Sequence, residues 1–422
     1  MPRMGLKRLF GRVVGHGFLL HLMIECPTGN AKLCDFELRD FEANFRNSAF
    51  SHFEIQPMAA NVEATTKPIA GVLSVRWIIS AHDDLVWFIG SVVSSYLLLF
   101  LYVKGILPLV VMAATWAILI DAPHVFGTFS RTYFDRVERK NRPMLLWGSL
   151  LFFAVGPLMV WVGAGFVFFF IAALWAYYHL VKQHYGFMVL YKKKNGDLAT
   201  VDNVLDRLLL LFAFNYPFVE FIARDSEAMA RVPAVLRGGV SGLSSILFFA
   251  TVALGIVWLG RQVQRAISGE SLDVPKYLLL AAAIPMHWLV LLTPMPHKPI
   301  AIVAILTIYH NFQYHRLIWF HNKKYNAKAT EGESRFGAAS LISRRLIYYI
   351  AFGVLFGVIY QGPRQLLGYM SFQNAKAGVT EQPFLMQLGI SFLWGYAFIH
   401  YYLDSKIWRV RRDASVGKAL NM

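Results

Sequence analysis

Residues 299–322 read PIAIVAILTIYHNFQYHRLIWFHN. From Pro299 to Ile308 the run is apolar but for Thr307. His310, Asn311, Gln313, His315, Arg316, His321 and Asn322 then follow on the same prospective helix. A helix rises about 1.5 Å per residue and needs about 20 residues to cross a bilayer, so this stretch is of spanning length. Polar and ionisable groups inside a bilayer cost free energy and are usually kept because they face a cavity, a metal or a substrate.

The rest of the chain has the same character. It has 422 residues, 56% hydrophobic and 16% charged, with a mean hydropathy of +0.46. That is too apolar for a water-soluble domain, and the fold class expected is an all-α, polytopic transmembrane helix bundle. The formal net charge of +16 does not imply nucleic acid, because in such a chain basic residues gather in cytoplasmic loops and meet anionic headgroups. Membrane lipids are the expected partners. Only Cys26 and Cys34 are present, which supports neither a disulfide framework nor a cysteine-ligated metal site.

Residues 1–80 mix Pro, Asn, Glu, Asp and Lys with no apolar run of spanning length, and a cytoplasmic, partly disordered extension with at most one interfacial helix is expected there. Residues 81–403 form the transmembrane domain, and 404–422 a basic cytoplasmic tail. Gly, Pro and charge clusters divide the domain into about ten segments, near 84–103, 106–123, 144–163, 165–190, 203–222, 242–260, 276–293, 299–321, 346–362 and 384–403. Basic residues collect after even-numbered segments: Arg131 to Arg142, Lys192 to Lys194, Arg261 with Arg265, Lys323 to Arg345, and Lys406 to Arg412. If ten segments alternate, all five clusters share one side. That side, with both termini, is expected to be cytoplasmic in a bacterial inner membrane.

On this topology His82, His124, His179, His184, His310, His315, His321 and His400 all reach the cytoplasmic ends of their segments, whereas His287 and His297 belong to the middle or far side. His179 with His184 and His310 with His315 both read H-x-x-x-x-H. Five positions on an α-helix leave two imidazoles about 140° apart, so neither pair chelates one ion on a regular helix. Either a π-bulge rotates them together, or each serves a different metal of a dinuclear centre, or one is a ligand and the other packs elsewhere.

Imidazole suits iron, copper and zinc. The candidate metal ligands are His124, His179, His184, His310, His315 and His82, with Asp121 as a carboxylate partner. Asn311 and Gln313 are candidates to orient ligands or substrate, and Tyr314 to move a proton or an electron. For any one histidine alone, an interfacial hydrogen bond is the bland alternative; only the group points to a metal.

Histidines gathered at helix ends on one side of a membrane bundle, chiefly His124, His179, His184, His310 and His315, resemble the membrane-bound non-haem iron oxygenases of the fatty acid desaturase and alkane hydroxylase type. The chain lacks their H-x-x-H-H boxes, so no ligand assignment carries over. The resemblance implies non-haem iron, mononuclear or dinuclear, or another transition metal. It also implies a lipid-soluble substrate and an electron-donor protein. Two other classes compete: a proton-coupled transporter or channel using the histidines and Asp121 as a polar pathway, and a membrane acyltransferase with a histidine base beside Asn311.

Overall fold

The computed structural model describes residues 73–325, 335–378 and 382–409, with 416, 417 and 420. Most of the expected extension, through residue 72, and most of the tail past 409 lie outside the described residues.

The helices of spanning length are α1 (Ala81–Val103), α2 (Leu109–Arg131), α3 (Pro143–Trp161), α4 (Gly165–Asn195), α5 (Thr200–Arg224), α6 (Ala234–Ile267), α7 (Val274–Leu292), α8 (Lys298–Asn322), α9 (Leu346–Lys376) and α10 (Phe384–Ile407). Seven of them, α1 to α4, α6, α7 and α9, are long and apolar enough to cross a membrane by length and composition. With 25, 25 and 24 residues, α5, α8 and α10 have the length as well. Ionisable residues lower their hydropathy, such as Asp202, Asp206 and Arg207 in α5 and Arg316 with three histidines in α8. The chain is a helical, multi-pass membrane protein.

Glycine and proline set the breaks. Gly105, Gly163 and Gly196 adopt positive φ between helices, where a side chain would be strained. Pro363, by contrast, sits inside α9. That helix runs well past residue 362, where the hydropathy pattern places its end, since spanning helices tolerate an internal proline when neighbours satisfy the freed carbonyls. A two-residue parallel ladder pairs β1 (Leu73–Ser74) with β2 (Leu272–Asp273).

Two helices contain π-helical turns, Asp84–Gly90 in α1 and Ala117–Asp121 in α2. In α2 the turn lies just before Pro123, which has no N–H to continue the α ladder. Of the three ways left open for the H-x-x-x-x-H pairs, a π-bulge in α4 or α8 is not the one adopted; both are regular α-helices. The carbonyls exposed by the wider turns are used: Phe88 O accepts from Tyr309 OH at 2.6 Å and from Gln313 Nε2 at 2.8 Å. Gly353 and Gly357 let α9 close on the bend of α2, since a Cβ on Gly353 would meet Pro123 Cβ at 2.8 Å and one on Gly357 would strike Ile118 O. Small residues allow such backbone approach in membrane bundles.

At one end of α4 to α7, charges are buried together. Lys276 Nζ lies 2.6 Å from Asp197 and 3.0 Å from Asp206, Lys192 also pairs with Asp206, and Arg265 stands 3.1 Å from Asp197. Arg261 reaches Asp202 at 3.0 Å, and Trp258 Nε1 donates to Asp206 at 2.7 Å. This network ties α6 to the bundle. In the most apolar window of that helix only 11% is buried.

Candidate metal centre

Four imidazoles from four helices converge. His124 of α2, His179 of α4, His310 of α8 and His400 of α10 each offer a nitrogen, and these nitrogens all lie within 4.8 Å of one another. His124 Nε2 and His400 Nε2 are 2.8 Å apart. The ring centroids of His124 and His310 are 4.7 Å apart, those of His179 and His310 5.2 Å, and those of His179 and His400 4.8 Å.

Their surroundings fix the rings. Asp404 Oδ1 accepts from Thr128 Oγ1 and from Tyr314 OH, both at 2.7 Å. With its own hydrogen committed to the carboxylate, Thr128 Oγ1 is left to accept from His400 Nδ1–H at 2.7 Å. A neutral imidazole carries one N–H, so His400 Nε2 turns a lone pair toward His124. Thr128 and Asp404 thus do for His400 what an outer hydrogen-bond partner does for a metal-bound histidine, setting tautomer and ring orientation. His179 stacks on Tyr401 at 4.4 Å, and His124 lies 4.5 Å from the Tyr314 ring.

These residues fit a metal ion. Nitrogens bound at about 2.1 Å to one ion stand roughly 3 to 4 Å apart, which the spacing of the group brackets. His179 Nε2, His310 Nδ1 and His124 Nδ1 are buried without a hydrogen-bond partner, an expensive state unless something occupies them. A set of neutral imidazoles is the donor chemistry that zinc, copper, iron and nickel share.

Of the seven ligands proposed from sequence, His124, His179 and His310 belong to this group and four do not. His315 is fully engaged elsewhere: one nitrogen meets Ile120 O in the π-turn of α2 and the other Tyr349 OH, both at 3.1 Å. His184 turns to the opposite face of α4 and packs 5.4 Å from His287, ring to ring. Asp121 accepts from Asn311 at 3.5 Å and Gln361 at 3.0 Å. His82 is exposed at the start of α1. The reason in α4 and α8 is the regular helix, on which members of an H-x-x-x-x-H pair must face different neighbours. Tyr314 lies against the group; Asn311 donates to Asp121, outside it; Gln313 points away, to Phe88 O. Sequence reading placed His400 at the same membrane boundary but not among the seven candidate ligands, and it did not name Thr128 or Asp404 as its partners. The signal available was i,i+4 spacing, which puts His124 over Thr128 and His400 over Asp404 on single helix faces.

Fold and site together define a class: a polytopic helical membrane protein with a buried four-histidine group that can hold a metal ion. Comparison with protein-family models, with curated proteins and with solved structures finds no match to this chain.

Proposed function

We propose that this chain is an integral-membrane, metal-dependent oxidoreductase acting on a lipid-soluble substrate, with ten spanning helices and both termini on the cytoplasmic side of a bacterial inner membrane. One observation carries the reading: four imidazoles from four separate helices bring their nitrogens within 4.8 Å inside an apolar bundle. Non-haem iron, or another transition metal of the same ligand preference, bound there supplies oxygen activation or electron transfer to a substrate beside it. The residues of the chain do the rest. Thr128 and Asp404 hold the His400 tautomer, and Tyr314 keeps its proton directed at Asp404 while lying against His124. Tyr314 and Tyr401 pack against the rings and help to exclude water from the group. An aromatic series supports delivery of electrons by a donor protein: Trp408 stands 5.9 Å from Tyr314, ring to ring, and Tyr314 4.5 Å from His124.

The test is purification in mild detergent followed by elemental analysis. Stoichiometric transition metal in the parent, reduced by one equivalent in His124→Ala and His310→Ala, is the expected outcome; a metal-free parent rejects the proposal. One observation favours transport instead. Gln365 donates to Gln361 and Gln361 to Asp121 along α9, with Arg364 bonded to Tyr360 on the same helix, a polar series outside the four-histidine group. Substrate-dependent flux into sealed proteoliposomes by metal-free protein would decide for that reading.

A further inference from the structure

A second histidine group lies on the other side of α4, and nothing in the four-histidine centre uses it. His184 and His287 are both fully buried. Each is held in the same way: His184 Nδ1 lies 3.0 Å from Leu180 O and His287 Nδ1 2.9 Å from Ala283 O, each the carbonyl four residues back on its own helix. A carbonyl only accepts, so Nδ1 carries the hydrogen in both rings and Nε2 carries a lone pair. Both Nε2 atoms are buried with no hydrogen-bond partner. His287 stacks on Phe214 with centroids 3.9 Å apart and ring planes 18° apart. Phe214 is itself pinned, its carbonyl accepting from Tyr177 OH at 2.5 Å.

The geometry points to a second metal-binding site: we propose that His184 Nε2 and His287 Nε2 bind one transition-metal ion of the imidazole-binding class, separate from the four-histidine group. Two imidazoles sharing an ion at about 2.1 Å with a tetrahedral angle place their ring centroids roughly 5 Å apart; His184 and His287 stand 5.4 Å apart with planes at 88°. The backbone carbonyl on the outer nitrogen is the arrangement that orients ligating histidines elsewhere. The inference relies on the proposed function only for the class of metal.

The experiment is an anaerobic Co(II) titration of the full chain in detergent. It is followed by the d–d absorption of bound cobalt and checked by elemental analysis after desalting, for the parent, His184→Gln, His287→Gln and His400→Gln. Two equivalents are expected in the parent and one in each variant, with different spectra remaining in His287→Gln and His400→Gln. One equivalent in the parent that survives His184→Gln and His287→Gln but vanishes in His400→Gln overturns the second site and leaves the first standing. One equivalent that survives His400→Gln but vanishes in His287→Gln supports the second site and removes the first. No bound cobalt in the parent overturns both. The parent stoichiometry alone decides if a variant fails to fold.

Discussion

His400 Nε2 stands 2.8 Å from His124 Nε2, although 276 positions separate the two residues in the chain. One comes from the second long helix, the other from the last. Their contact ties the α2 wall of the metal group to α10.

Because Thr128 sets the tautomer of His400, Thr128→Val should weaken metal binding while leaving all four imidazoles in place. A loss of outer hydrogen bonding to a ligand typically lowers affinity about 10- to 100-fold. Competition with a chelator of known affinity checks this; an unchanged affinity would show that the Thr128 contact does not orient the ring.

Tyr314→Phe removes the hydroxyl that donates to Asp404 and leaves the ring against His124. Metal content should be unchanged. Turnover should fall by about 10²-fold or more if that hydroxyl moves a proton. Oxygen uptake and product formation with membrane lipid extracts read the difference, and full turnover in this variant assigns Tyr314 to packing alone.

Asp206 holds Lys192 and Lys276 in a buried site. Asp206→Ala leaves Asp197, 2.6 Å from Lys276 and 3.7 Å from Lys192, as the one carboxylate facing both ammoniums, and should destabilise the bundle by about 3 kcal/mol. Thermal unfolding of the detergent-solubilised protein should show a large drop. A near-parental midpoint would mean the network contributes little.

Asp273 caps α7 through Oδ1, which accepts from Lys276 N at 3.1 Å, while Oδ2 is buried without a partner. Burial raises its carboxyl to about 6, against the pull of the Lys276 N–H and ammonium. An unfolded aspartate titrates near 3.9, so between about pH 4 and pH 6 the folded chain holds a proton that the unfolded chain has released. Stability on this account falls as pH rises through that interval and is level above it. Asp273→Asn keeps a capping oxygen and removes the titration. Its advantage in melting temperature over the parent should therefore open between pH 4 and pH 6; an advantage that does not vary with pH refutes the assignment.

The spanning helices were legible because hydropathy over about 20 residues is a strong, local signal. Their ends were less so. Pro363 reads as a terminator and is accommodated inside α9, and α5, α8 and α10 mix the two signals. All four converging histidines were legible as a cluster at one membrane boundary, and three of them, His124, His179 and His310, as candidate ligands. The face each presents was not: His184 and His315 look equivalent to His179 and His310 in the sequence, and only the rotation of each helix against its neighbours separates them. His287 reads as a lone histidine in an apolar segment, since its meeting with His184 is a tertiary fact with no local trace. The π-turn before Pro123 belongs to the same category, because its exposed carbonyl becomes visible only when His315 arrives from α8.

The five-residue spacing in α4 has a mechanical meaning. His179 and His184 hang from one unbroken helix about 140° apart, each in a different buried group. Turning α4 about its axis to improve the fit at one group must worsen the fit at the other, so the helix works as a gear meshed on two sides. Both groups therefore set the same rotation of one helix, and a single angle must satisfy them together.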